Sequence, residues 1–175
     1  MYGMNRVYSM YPEQTNRVLF NHLDTHDTMR AVTRCGNVDI FYQQLAVLMT
    51  MPGSACIYYG TEIAMEGGHD PDCRRTMPWK QIEQGAFAEQ QRITKALIAL
   101  RKDNSVLRSG AVIWYHKDDA PRLVCYDRVA ETAGLRIYLN STDRDIPISA
   151  DPVFAHKYEN GILKVNGILI CRISP

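Results

Sequence analysis

The segment NHLDTHDTMR, residues 21–30, directly follows the apolar run RVLF and brings carboxylates and an imidazole together. Asp24, His26 and Asp27 belong to the side-chain types that act as general acids and bases. Two plainer interpretations stay open. Asp and Thr favour turns, so the segment can be a structural loop. His22, Asp24 and His26 alternate along the chain and could share a face toward a metal ion, but His22 and Asp24 fit a structural role beside a strand better.

A second polar segment, GTEIAMEGGHDPDCRR, occupies residues 60–75. The stretch from residue 60 to 80 is rich in Gly, Pro and charge and shows no periodicity, and a loop of that length is typical of a functional site. Carboxylates and guanidinium groups from both segments suit a ligand with many hydroxyls, a sugar rather than a phosphate. The side chains are His26, Asp27, Arg30, Glu62, Asp70, Asp72, Arg74 and Arg75.

Several residues of the second segment also have structural interpretations. Arg75 fits a solvated surface charge as well as it fits a ligand contact. Tyr59 and Glu62 in YYGTE are expected to pin the loop, which we prefer to a ligand role. Trp79 could stack on a sugar ring, but aromatic residues more often belong to a core.

Each polar segment follows a predicted strand. Residues 18–23 (VLFNHL) and 54–60 (SACIYYG) are predicted strands, and the second lacks alternation, as in a parallel sheet covered by helices. Between them, the apolar spacing of residues 37–51 predicts a helix that Pro52 and Gly53 end. Strand, loop, helix and strand form a βαβ unit, whose functional loops lie beyond the carboxyl ends of the strands.

The pattern changes near residues 104–110. A helix is predicted for residues 87–102, with Ile93, Leu97 and Leu100 on one face. Beyond it, short segments with period-two character predict a small antiparallel β-unit: AVIWYHK, RLVCYDR, GLRIYLN and GILKVNGILICRIS. Two βα units leave strand edges and helix faces unpartnered, so we expect part of the architecture to be missing on the N-terminal side.

Composition excludes several classes of protein. With 46% hydrophobic residues, 22% charged residues and a net charge of +1, no basic excess indicates a nucleic-acid partner. The N-terminus lacks the features of a signal peptide and the longest apolar stretch is too short for a bilayer, so a cytoplasmic protein without membrane contact is expected. Five cysteines without a CxxC pair predict reduced thiols and neither a metal nor a cofactor.

FNHLDTHDTMR and LAVLMTMPGSACIYYGTEIAMEGGHDPDCRRTMPW resemble the last conserved segment and the final barrel strand of the α-amylase superfamily, glycoside hydrolase family 13. The resemblance is to its neopullulanase, cyclomaltodextrinase and maltogenic amylase branch, and it covers residues 10–105 closely and the tail loosely. It implies an α/β fold: the last βα units of a (β/α)8 TIM barrel over residues 1–105, then a small antiparallel β-sandwich, domain C, over residues 106–175.

The resemblance also implies roles for individual residues. Asp27 matches the aspartate that stabilises the oxocarbenium-like transition state, and His26 matches the histidine that hydrogen-bonds the same sugar ring. Asp70 and Arg74 match the DPxxxR pair, which borders the glucose on the non-reducing side of the cleaved bond. The implied substrates are cyclodextrins, pullulan or malto-oligosaccharides, cleaved at α-1,4 linkages with retention of configuration.

One departure limits the implied activity. The family's nucleophile and acid/base lie on earlier barrel strands, and no such segment occurs in these 175 residues, so the chain alone is expected to be inactive. The resemblance allows a homodimer for the complete enzyme. The rival hypotheses are a non-catalytic relative of the amylases and a carbohydrate-binding fragment built from the tail; the retained His-Asp pair and DPDCRR favour the enzyme.

Overall fold

The chain begins with helices and ends with an antiparallel sheet. The computed structural model describes residues 2–174, and its helical part opens with α1 (Tyr2–Tyr8) and α2 (Glu13–Asn16). The predicted βαβ unit follows: β1 (Phe20–His22), α3 (Ala31–Cys35), α4 (Val38–Thr50) and β2 (Ser54–Cys56). β1 and β2 are parallel, with Phe20 opposite Ser54 and His22 opposite Cys56. The parallel arrangement places both polar segments beyond the carboxyl ends of these strands.

Both strands are shorter than predicted. The expected ranges were residues 18–23 and 54–60, and the paired ranges are Phe20–His22 and Ser54–Cys56. Among residues 2–174 these two strands pair only with each other, so nothing extends the ladder beyond three residues on each side. At the N-terminal end the Val18 N–H bonds back to the carbonyl of Thr15, which keeps Val18 in a turn.

The two long helices confirm the predicted apolar faces except at Val38, which was expected on the buried face of residues 37–51 and is exposed in the first turn of the helix. α4 begins after Asn37, whose side-chain oxygen accepts hydrogen bonds from the N–H groups of Asp39 and Ile40 and so caps the helix. The second long helix is α6 (Ala88–Asp103), which follows the short α5 (Trp79–Glu83). Each long helix buries one apolar stripe, and these stripes include Phe41, Leu45, Leu48, Met49, Ile93, Leu97 and Leu100.

The tail is antiparallel, as predicted, and its strands are joined by hydrogen bonds into one sheet, while the β-sandwich packing of domain C remains a prediction. After α7 (Val106–Ser109), the strands β3 (Ala111–Tyr115), β4 (Leu123–Val129), β5 (Gly134–Asn140), β6 (Ile146–Pro147), β7 (Pro152–Glu159) and β8 (Ile162–Ile173) belong to a single six-stranded sheet. The order is β3-β4-β5-β8-β6, and β7 also pairs with β8. β8 unites the sheet because its 12 residues are long enough to pair with β5, β6 and β7.

Helices and sheet share a hydrophobic cluster that includes Leu45, Leu97, Tyr126 and Ile137. A second, smaller cluster with Leu123 and Leu163 lies among strand and loop residues of the tail. The predicted boundary at residues 104–110 coincides with α7, and the first cluster runs across it. The division into 1–105 and 106–175 remains a prediction.

A buried arginine also joins the two parts. Arg128 of β4 is fully buried and donates hydrogen bonds to the carbonyl oxygens of Thr50, Leu107 and Gly110. Burial lowers the pKa of Arg128 to about 10, because the charged form loses its hydration. Three carbonyl dipoles replace part of that hydration, two of them from the ends of α4 and α7, while Arg128 Nε has no hydrogen-bond partner within residues 2–174.

All five cysteines are free thiols, in agreement with the sequence prediction. Within residues 2–174 no helix is both long enough and apolar enough to cross a bilayer.

Candidate active site

The structure brings together the four side chains predicted for the site. His26 and Asp27 lie in the turn that follows β1, and Asp70 and Arg74 come from the loop that follows β2. His26 Nε2 is 3.3 Å from Asp27 Oδ2, and Arg74 Nε is 2.7 Å from Asp70 Oδ1. Residues separated by more than 40 positions along the chain therefore form one cluster at one edge of the parallel pair.

Arg74 is the centre of this cluster. Its Nε also donates to the backbone carbonyl of His26 at 3.0 Å, and its Nη2 lies 3.5 Å from Asp27 Oδ1. The side chains of His26, Asp27, Asp70 and Arg74 are 62%, 70%, 53% and 47% exposed. Ion pairs at such exposure add little to stability. They leave the carboxylates, the imidazole and the guanidinium open to a ligand.

Asp24 is buried beneath the turn that follows β1 and does not belong to the exposed cluster. Its carboxylate is buried, accepting a hydrogen bond from the Ala31 N–H at 2.9 Å and another from Thr61 Oγ1 at 2.7 Å. Both oxygens are thus engaged by the framework, whereas the neighbouring His22 and His26 are exposed. Within residues 2–174 no group of three or more His, Cys, Asp or Glu could hold a metal ion, and Asp24 is better described as a structural residue.

Arg30, which the sequence placed among the ligand-binding side chains, is fully buried. Its Nε donates to the carbonyl of Cys73 at 2.8 Å and its Nη1 to the carbonyl of Tyr59 at 2.6 Å. Its guanidinium lies 4.4 Å from the ring centre of Tyr58 and 4.7 Å from that of Tyr59, within the range of cation–π attraction. Arg30 therefore ties the loop after β1 to two distant points of the loop after β2, beneath the site.

The structural interpretation of Tyr59 is supported, since its hydroxyl donates to the carbonyl of Arg75 at 2.8 Å. Arg75 forms a two-pronged ion pair with Asp72 at 2.7 and 2.8 Å, and the hydrogen bonds from Arg75 hold the pKa of Asp72 below its ordinary value. Of the two interpretations of Arg75, the structure thus shows the solvated surface charge, paired with Asp72. Trp79 is exposed on α5 and is not part of the core.

Glu62 differs from the expected loop-pinning role. Its Oε2 is buried and has no hydrogen-bond partner within residues 2–174, while its backbone carbonyl accepts a bond from Thr94 Oγ1 at 3.2 Å. The backbone of Glu62 is fixed to α6, and its carboxylate is not.

Cys73 is a residue of the site that sequence reasoning missed. Its thiol donates to the carbonyl of His26 at 3.0 Å, the same oxygen that accepts from Arg74. The only sequence signal was its position inside DPDCRR, between residues already assigned to the ligand.

The arrangement can bind hydroxyls but lacks a full set of groups for glycosidic cleavage. Two carboxylates and an imidazole accept hydrogen bonds, and the guanidinium donates them, which matches the alternating donors and acceptors of a sugar ring. Cleavage with retention requires in addition a nucleophilic carboxylate and a proton donor on either side of the bond.

Comparisons with known proteins agree with this geometry. The family model "Alpha amylase, catalytic domain" matches residues 2–120, more than half of the chain. The chain is 39% identical over 149 residues to a cyclomaltodextrinase of Geobacillus thermopakistaniensis, covering 83% of this chain and 25% of that protein. It is 40% identical over 142 residues to neopullulanase 2 of Thermoactinomyces vulgaris, covering 79% of this chain and 23% of that protein.

Among solved structures, the maltogenic amylase from S. marinus superposes with a TM-score of 0.81 and 29% identity, covering 98% of this chain and 25% of that chain. The chain thus spans about a quarter of the length of these relatives. The superposition includes the sheet as well as the helices, since nearly the whole chain is covered. On these matches, the chain belongs to the α-amylase family.

Proposed function

We propose that this chain supplies the sugar-binding edge and the transition-state-stabilising carboxylate of a retaining glycoside hydrolase. The substrates would be cyclodextrins, pullulan or malto-oligosaccharides, cleaved at α-1,4-glucosidic linkages. The observation that carries the proposal is the position of Arg74, whose guanidinium contacts the carboxylates of both Asp27 and Asp70 and the carbonyl of His26. One side chain thereby sets the spacing of all the groups that would touch the sugar.

In this proposal Asp27 acts on the reacting ring. As the glycosidic bond breaks, positive charge develops at the anomeric carbon. The interaction of the ring with a carboxylate that accepts hydrogen bonds from its hydroxyls then becomes stronger than in the ground state. His26, next to it, hydrogen-bonds the same ring. Asp70 and Arg74 would hold the glucose on the non-reducing side of the cleaved bond.

The proposed architecture follows from the same assignment. Residues 1–105 would be the last βα units of a (β/α)8 barrel and residues 106–175 the C-terminal domain that packs on it. Support comes from the parallel β1–β2 pair with its functional loops at one edge, and from the shared hydrophobic cluster between α4, α6 and the sheet. The nucleophile and the acid/base would come from barrel elements in the three quarters of the relatives that these residues do not match.

Sugar binding by the purified 175-residue chain tests the proposal. We expect maltotriose to shift the NMR signals of the His26–Asp27 turn and of the 70–74 loop, with Asp70→Asn and Arg74→Gln weakening binding by about tenfold, the value of a charged hydrogen bond. Arg92→Gln is the matched control, because Arg92 forms an equally exposed ion pair with Glu89 on α6. Equal effects of Arg74→Gln and Arg92→Gln, or no binding at all, would contradict the proposal.

A further inference from the structure

The carbonyl oxygen of His26 receives two hydrogen bonds that differ in their surroundings. Arg74 Nε donates from the exposed side at 3.0 Å, and the Cys73 thiol donates from the buried side, also at 3.0 Å. Arg74 is shared with two carboxylates, so its orientation depends on what those carboxylates bind. The thiol of Cys73, 0% exposed, is shielded from solvent and ligand.

Cys73 is itself held firmly in place. Its carbonyl accepts the bond from Arg30 Nε at 2.8 Å, and Arg30 is anchored in turn by the Tyr59 carbonyl at 2.6 Å. The backbone of Gly67 packs against it so closely that a side chain there would lie 3.0 Å from Cys73 Cα. Two hydrogen bonds fix Gly67. Its N–H donates to Thr33 Oγ1 at 2.9 Å, and its carbonyl accepts from the Arg30 N–H at 3.0 Å.

We propose that Cys73 is a positioning residue of the sugar site. Its thiol fixes the His26 carbonyl, and with it the direction in which the His26 and Asp27 side chains leave the turn. This role rests on the proposed function, since it assigns a purpose to the orientation of those two side chains. A thiol is a weak donor, but Cys73 is fully buried, so no solvent molecule replaces the thiol on its side of the carbonyl.

The amides of Asp27 and Thr28 report on this turn without any sugar. The Asp27 N–H bonds to Thr25 Oγ1 at 3.2 Å and the Thr28 N–H to the Thr25 carbonyl at 3.4 Å, so loosening of the turn exposes both to exchange. Hydrogen exchange at these amides and maltotriose affinity are measured for Cys73→Ala, which removes the donor, and for Cys73→Ser, which keeps one. The matched controls are Cys125→Ala and Cys125→Ser, because Cys125 is an equally buried thiol in β4.

We expect Cys73→Ala to speed exchange at Asp27 and Thr28 by about threefold to tenfold, the value of one hydrogen bond, and to weaken maltotriose binding by a similar factor. Cys73→Ser should restore both, and the Cys125 variants should change neither. If Cys73→Ala fails to fold, Cys73→Val, which fills the space without donating, replaces it. Equal behaviour of the serine and the apolar variant, or unchanged exchange, would overturn the inference.

The two proposals fail in different ways. A wild-type chain that binds no maltotriose would refute the proposed function, whereas the exchange comparison between Cys73→Ala and Cys73→Ser would still decide the role of the thiol. A wild-type chain that binds, with serine and alanine variants alike, would refute only the role of Cys73.

Discussion

Arg74 Nη2 lies 3.5 Å from Asp27 Oδ1, and this contact connects the turn after β1 with the loop after β2. It is longer than the 2.7 Å contact of the same guanidinium with Asp70, so Asp27 is the less tightly held of the two carboxylates. A loosely held carboxylate can turn toward a ligand without breaking a strong ion pair, since an exposed pair of this length contributes little.

The first prediction is that the chain alone cleaves no α-glucan. Sugar binding and one stabilising carboxylate cannot replace a nucleophile and a proton donor, and general acid catalysis by itself typically contributes about a hundredfold to ten-thousandfold in rate. The measurement is release of glucose or maltose from cyclodextrin by the purified chain. Turnover that copurifies with the chain and is lost in Asp27→Asn would contradict the prediction, whereas turnover that survives Asp27→Asn indicates a contaminant.

The second prediction is that the chain self-associates through its N-terminal apolar surface, defined as Val7, Met10, Tyr11, Val18 and Phe20, which are 51–76% exposed. This surface adjoins a groove of about 420 Å³ beside β1 that is lined largely by apolar side chains. Exposed apolar surface next to unpaired strand edges favours association.

Sedimentation velocity is the measurement for this second prediction. Phe20→Ser should shift the chain toward monomer, and Ile113→Ser, which alters an exposed apolar residue of β3, should not. A wild-type chain that is monomeric at high concentration and melts cooperatively at high temperature would mean that the parallel pair is a complete structural unit.

The third prediction concerns a charge cluster that joins α4 to β7. Asp39 Oδ1 is 2.7 Å from His156 Nε2 and Asp39 Oδ2 is 2.9 Å from Lys157 Nζ, in a partly buried position. Burial raises the pKa of Asp39, but the hydrogen bonds from His156 and Lys157 outweigh it and leave the pKa below its ordinary value. A lowered pKa means that the charged carboxylate stabilises the folded chain.

The sign of the pH dependence follows from that direction. As the pH falls, the Asp39 carboxylate of the unfolded state is protonated first, at a pKa of about 3.9. The stabilisation is therefore fully present above that value and is lost as the pH falls through the lower pKa of Asp39 in the folded state. Asp39→Asn should therefore lower the free energy of unfolding by about 1–3 kcal/mol at pH 7, and by progressively less in stronger acid. Urea unfolding at several pH values measures this difference. The control is Asp145→Asn, because Asp145 forms an exposed ion pair with Lys164, and it should lower the free energy of unfolding much less.

Local sequence signals predicted the long elements and the exposed site. α4 and α6 carry enough turns for a periodic apolar stripe to be visible, and Pro52 and Gly53 mark the end of α4. The short helices α3, α5 and α7, with four or five residues each, are below the length at which a period can be recognised. His26 and Asp27 were predicted together with Asp70 and Arg74 because two segments agreed with one family.

Contacts between distant residues could not be predicted in this way. The burial of Arg30 depends on carbonyls of Tyr59 and Cys73, which lie 29 and 43 positions away along the chain. The sheet order depends on which strands pair with β8, and the alternation of apolar and polar residues in a strand does not reveal its pairing partners. Local pattern thus distinguishes strand from helix, while tertiary packing decides which polar residues support a site and which remain open to a ligand.

The last prediction concerns Asp27 in a complete enzyme. The test uses a chimera that joins this chain to the three quarters of the Geobacillus cyclomaltodextrinase that it does not match, where the family resemblance implies the nucleophile and the acid/base. If Asp27 tightens on the ring hydroxyls only as charge develops, Asp27→Asn should lower kcat by about a hundredfold to a thousandfold and change KM little, because an interaction absent from the ground state does not aid substrate binding. His26→Ala should lower kcat less, since a neutral hydrogen bond gains less from the developing charge. The control Arg92→Gln should leave both kcat and KM unchanged. Steady-state kinetics on a cyclodextrin measure all three variants, and an Asp27→Asn chimera with the parent kcat would reduce the His26–Asp27 segment to a structural turn.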